Sequence, residues 1–125
     1  MGKIFAEVDT LGVDLFAVAG HKIYAPKGIG VLFVRNGVKL TKYMHGAGQE
    51  SGGRAGTENV LEIVGLGKAC EIARRDLVKN RDHMQAMRDR LYEGLKKNCE
   101  GIRLNGHPHR RLPVSYTHLT LPTKE

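Results

Sequence analysis

Val13-Asp14-Leu15-Phe16-Ala17-Val18-Ala19-Gly20-His21-Lys22 is the stretch on which the fold turns. Val13 to Ala19 is short and nearly all apolar, the pattern of a strand covered on both faces. Gly20 ends the run, and His21 and Lys22 stand at its mouth. A second run, Gly30-Val31-Leu32-Phe33-Val34-Arg35, is stopped by Asn36-Gly37, a strong turn signal. Only ten residues separate the two runs, Pro26 and Gly28 among them. That is short for a helical crossover, so the strands are expected to pair antiparallel.

Residues 45–57 hold five glycines, a density that no helix or strand survives. This segment is a loop suited to bringing backbone close to a ligand. Thr57-Glu58-Asn59 can cap a helix beginning just after them. From Val60 the pattern turns helical, with Val60, Val64, Gly67, Ala69, Cys70 and Ala73 able to share a face. Leu77, Met84, Met87, Leu91 and Leu95 then form one apolar stripe, the mark of a core-facing helix. Asn98 and Gly101 stop it. The stretch from Val60 to Asn98 is one long helix or a pair, long enough to link two domains. Ile102-Arg103-Leu104 reads as the first strand of something new. The fold class is α/β, with no internal repeat.

Composition narrows the function. The chain has 125 residues, 41% hydrophobic and 26% charged, ordinary values for a globular protein. No apolar run approaches the roughly 20 residues that a membrane-spanning helix needs. Met1-Gly2-Lys3 is not followed by the apolar core of a signal peptide. A cytoplasmic location is the default expectation, with Cys70 and Cys99 as reduced thiols. The net charge of +7 invites a nucleic-acid reading. The basic residues are spread out, however, and on the helical stretch they interleave with Asp76, Asp82, Asp89 and Glu93, as on a solvated face. Neither nucleic acid nor membrane is expected as a partner. His107 and His109 straddle Pro108 with no third ligand nearby, so no metal site is expected.

Lys22 is the sharpest chemical feature. Active groups of α/β proteins concentrate at strand ends. A lysine partly desolvated there has its charged form disfavoured, and a neutral amine can form a Schiff base with an aldehyde cofactor. His21 beside it can donate to a phosphate or stack on a ring. The glycine-rich loop fits neither the dinucleotide nor the P-loop fingerprint. Its amides and the Thr57 hydroxyl, at a helix start, make a natural phosphate site all the same. Cys70 falls within the helical stretch, where a buried, inert role is expected.

Gly20-His21-Lys22-Ile23-Tyr24-Ala25-Pro26-Lys27-Gly28-Ile29-Gly30 resembles the lysine motif of the cysteine desulfurases, NifS-like pyridoxal-phosphate enzymes of the class V aminotransferase group. His45-Gly46-Ala47-Gly48-Gln49-Glu50, then Arg54-Ala55-Gly56-Thr57-Glu58-Asn59 and Ile63-Val64-Gly65-Leu66-Gly67-Lys68-Ala69, resemble the same family's second signature. The likeness runs to about Pro113. It implies that Lys22 joins the aldehyde of pyridoxal 5'-phosphate and later moves protons at the substrate Cα. His21 would help hold the cofactor phosphate, and Thr57 would reach the phosphate of a neighbouring subunit in a homodimer. The implied reaction takes sulfur from L-cysteine, leaving L-alanine and an enzyme persulfide for iron–sulfur cluster assembly or other sulfur transfer to an acceptor or scaffold protein. A selenocysteine lyase or related pyridoxal-phosphate lyase is the alternative within the class, and a non-catalytic basic binding protein the alternative outside it.

There are departures. Ala19 stands where the family often has a phosphate-binding Ser, Tyr24-Ala25-Pro26 replaces Tyr-Gly-Pro, and Gly46-Ala47-Gly48 replaces three glycines. The implied organisation is a fragment. Residues 1–62 are the C-terminal part of a cofactor-binding large domain, 63–98 are connecting helices and 99–113 start a small α/β domain. Residues 114–125 read as a non-native tail, a translated adapter. The persulfide-forming Cys loop of the family has no counterpart here, so the chain alone is expected not to turn over. Cys70 and Cys99 are not assigned to that role.

Overall fold

A computed structural model describes residues 2–113 and the backbone of residues 119–120. The reading of 114–125 as a non-native tail therefore lies, but for that short backbone stretch, outside the described residues. The chain divides into two compact units, Met1–Arg75 and Asp76–Glu125.

The first unit opens with α1, Val8–Leu11, closed by Gly12 in the left-handed conformation at φ 64°. Strand β1, Leu15–Ala19, pairs antiparallel with β2, Gly30–Val34, in the register Leu15 to Val34 through Ala19 to Gly30. The antiparallel pairing expected from the ten-residue connection is present. The cover on both faces is not: along β1 the residues alternate between exposed and half-buried, and most of β2 is exposed. Among the described residues the pair forms a two-stranded sheet with no third strand, so each strand keeps a free edge.

A single 3-10 turn, Gly20–Ile23, follows β1 directly. The core lies beneath it. Ile23, Leu66 and Ala69 are buried together, with Val18, Ala25 and Ile29 packed around them. Leu66 and Ala69 come from α2, Val60–Arg75. The face of α2 that is used overlaps the expected apolar face only in part. Ala69 is buried and Ala73 half-buried as expected, and Leu66 joins them, whereas Val60 and Val64 are exposed, as is Cys70. The turn docks on one large side chain, Leu66, and one small one, Ala69.

In the second unit α3 runs from Leu77 to Asn98. The helical stretch is thus a pair, interrupted at Asp76. Cys99 comes next in extended conformation at φ −131°, ending the helix where Asn98 was expected to end it. Leu77 is buried and Met84 and Leu95 are half-buried, but Met87 and Leu91 of the expected stripe are exposed. Arg88 takes part of that face instead: its side chain is only 14% exposed, and its guanidinium donates to the Leu112 carbonyl oxygen at 3.1 Å. Strand β3, Arg103–Leu104, pairs antiparallel with β4, Leu119–Thr120.

Candidate functional site

The site is built on the turn after β1. Gly20 donates its N–H to the Ile29 carbonyl at 2.9 Å, and Ala25 donates back to the Gly20 carbonyl at 3.1 Å. Gly20 has to be glycine, since a β-carbon there would lie 2.7 Å from the Ile29 oxygen. Tyr24 closes the turn at φ 66°, a left-handed conformation uncommon for a bulky side chain. Lys3 secures that tyrosine from outside, with Nζ 2.9 Å from the hydroxyl and 4.8 Å from the ring centre.

These constraints sort the side chains of the turn. Ile23 is 4% exposed, while His21 and Lys22 stand in solvent. Neither His21 nor Lys22 has a side-chain hydrogen bond or ion pair among the described residues. The partial desolvation expected of Lys22 is absent from these surroundings. What the fold supplies is placement: the amine and the imidazole are neighbours on a short turn whose next residue is fixed in the core.

Thr57 sits elsewhere. It lines an open cleft of about 1160 Å³ whose walls include Ile29 to Leu32, Leu40, Arg54 and Asn59, and to which neither His21 nor Lys22 contributes. The cap of α2 is Asn59 rather than Thr57: its Oδ1 accepts the Glu62 N–H at 3.4 Å. The Thr57 side chain is exposed and has no partner among the described residues. The glycine-rich loop leading to it is braced from within. Lys42 Nζ donates to the carbonyls of Gly46 and Ala47 at 3.1 and 2.8 Å, and Gln49 Oε1 accepts the Gly56 N–H at 3.1 Å. Glu50 and Ser51 hold φ of 51° and 55°, costly values for residues with a β-carbon.

The hydropathy pattern does not reveal the support beneath Lys22. Ile23, Pro26 and Gly65 belong to recognisable motifs, but only the packing gives them work. The one usable signal is a glycine inside a helix, which asks for a packing reason.

The structure thus sets a primary amine beside an imidazole on one turn and a hydroxyl in a separate cleft. Comparison with known proteins gives the family. The Aminotransferase class-V family profile matches residues 1–121, and the chain belongs to that family of pyridoxal-phosphate enzymes. More particularly, it is 42% identical over 113 residues to the cysteine desulfurase IscS of Dictyoglomus turgidum, and 46% over 112 residues to that of Methanosarcina thermophila. These matches take in 90% of this chain and 29% and 28% of the two relatives. A solved NifS-like protein superposes with a TM-score of 0.83 at 38% identity, over 90% of this chain and 30% of the other. The NifS-like protein from Rickettsia africae does so at 0.84 and 31% identity, over 90% and 31%. The chain thus spans less than a third of the length of these relatives.

Proposed function

We propose that this chain carries the cofactor-anchoring turn and a phosphate-reaching hydroxyl of a cysteine desulfurase. In the parent reaction, sulfur leaves L-cysteine to give L-alanine and a persulfide on a separate cysteine thiol, ready for iron–sulfur cluster assembly or another acceptor. The observation that carries this reading is the Lys22 turn: an exposed amine, next to an imidazole, held by a neighbour only 4% exposed, in a chain similar to proteins named as cysteine desulfurases.

Pyridoxal 5'-phosphate, when bound, supplies an electron sink that lets a proton leave the substrate Cα. The chain's own residues do the rest. Lys22 offers the amine that anchors the cofactor aldehyde and, once freed, is placed to take and return the Cα proton. His21, one residue before it, orients the bound group through its ring or a hydrogen bond to phosphate. The Thr57 hydroxyl donates to a phosphate oxygen. Its cleft holds neither His21 nor Lys22, which favours a hydroxyl that serves the cofactor of a second subunit in a homodimer. Residues 1–62 then belong to a large cofactor domain, 63–98 to connecting helices and 99–113 to the beginning of a small domain. A cytoplasmic setting suits such an enzyme. No helix of the described residues is long and apolar enough to cross a membrane.

The test is chemical. The chain is incubated with pyridoxal phosphate and borohydride, digested, and its labelled lysines are mapped by mass spectrometry. Lys22 is expected to carry most of the label, and Lys22→Ala to remove it without changing the circular dichroism. Label spread over the lysines in proportion to their exposure would overturn the reading.

A further inference from the structure

Helix α2 meets the Lys22 turn and the segment after it through Gly65, Leu66 and Ala69. A β-carbon on Gly65 would lie 2.9 Å from Pro26 Cγ and 3.0 Å from its Cδ. On the same face Leu66 and Ala69 close over Ile23. Glycine is among the worst residues for a helix interior, and Gly65 is not one of the residues with positive φ. Its backbone therefore does not call for glycine; the contact with Pro26 does. Gly67, two residues on, makes the contrast: a β-carbon there would meet nothing within 4 Å.

We propose that Gly65 is a positioning residue for Lys22. Its missing side chain lets the Pro26 ring approach α2 closely. That close approach and the burial of Ile23 hold the segment that follows Lys22, so the direction in which Lys22 projects is set by a helix that Lys22 itself does not belong to. The consequence for cofactor capture rests on the proposed function above; the packing relationship does not. Because Pro26 is a rigid ring rather than a flexible chain end, it cannot yield to a methyl group at Gly65 without moving the backbone it closes.

The test uses the whole chain at low concentration and two readouts. Hydrogen exchange by mass spectrometry follows peptides covering 20–29, where the Gly20 amide bonds the Ile29 carbonyl and the Ala25 amide the Gly20 carbonyl. Pyridoxal phosphate with borohydride reports the share of label on Lys22. Gly65→Ala is expected to speed exchange in that segment and to lower the Lys22 share, each by roughly fivefold or more, as overpacking a filled contact does. Gly67→Ala, which adds the same methyl to the same helix, is expected to change neither. Pro26→Ala, which removes the ring and leaves Gly65 in place, is expected to speed exchange and lower the Lys22 share in the same direction as Gly65→Ala. The proposal is overturned if Gly65→Ala leaves exchange unchanged, if Gly67→Ala matches it, if Pro26→Ala leaves both readouts unchanged, or if these amides already exchange freely in the parent chain. Absent preference for Lys22 in the parent chain would instead sink the cofactor reading, while the exchange comparison still decides the positioning role.

Discussion

Ile23 is buried against Leu66 of α2, one residue beyond a lysine that stands in solvent. The two positions answer to different forces. Ile23 is held by removal of apolar surface from water, and Lys22 is left free because the turn that buries its neighbour points it away. Leu66→Ala is expected to destabilise the first unit by about 2 kcal/mol, the low end for a core aliphatic because so few residues close around it. Urea unfolding followed by circular dichroism measures this, and a change under about 0.5 kcal/mol would mean the contact is not packed.

Arg35 ties the start of the chain to the end of β2. Its guanidinium donates to the Val8 and Val13 carbonyls at 3.2 and 2.9 Å and pairs with Asp9 at 2.9 Å. A four-residue helix such as α1 does not persist by its own propensity. Arg35→Ala is expected to cost about 1–2 kcal/mol, since the group is part-buried and makes several charge-assisted bonds. Arg35→Lys is expected to recover little, because an ammonium cannot span that fork of acceptors. Exchange of the α1 amides in the two variants tests it: protection equal to the parent in Arg35→Lys would show that charge alone suffices.

The antiparallel strand pair and the two helices were legible because each has its own period or connection length. The Lys22 turn was legible as a motif at a strand end. Which face of α2 turns inward was legible only in part. The pattern includes the buried Ala69 but also selects Val60 and Val64 and passes over Leu66; the deciding contact is the approach of Pro26 and Ile23 to Gly65, Leu66 and Ala69. Arg35 likewise reads as the last residue of a strand, because a clamp on the distant Val8 and Val13 carbonyls leaves no trace in periodicity. The exposure of β1 and β2 depends on covering elements, which no pattern within a strand can count.

Exposed apolar residues on α2, with Tyr43 just before the glycine-rich loop, predict self-association. Leu61 is 87% exposed and Tyr43 93%, and Val60 and Val64 lie beside Leu61 on the helix. Exposed apolar side chains that neighbour one another on a helix, as Val60, Leu61 and Val64 do, drive association. Light scattering is expected to rise with protein concentration in the parent chain and to fall in Leu61→Glu/Val64→Glu, with circular dichroism retained. Scattering that is indifferent to both substitutions would place the sticky surface elsewhere.

Glu71 gives a pH-dependent prediction. The Lys68 ammonium donates to both its carboxylate oxygens at 2.8 Å, one helical turn away, and this hydrogen bond, with the charge of the same lysine, holds the Glu71 carboxyl below its ordinary value. A carboxyl depressed in the folded state favours folding above its unfolded value, and that contribution is lost as pH falls through the folded value. The pair should therefore support α2 at neutral pH and cease to do so in the acid range. Both side chains are largely exposed, so salt should weaken the effect. Lys68→Gln is expected to raise the Glu71 titration midpoint, followed by the side-chain carboxyl resonance, and 1 M salt to narrow the difference between the two proteins. An unchanged midpoint in Lys68→Gln would mean that Arg75, which also lowers it, sets the carboxyl instead.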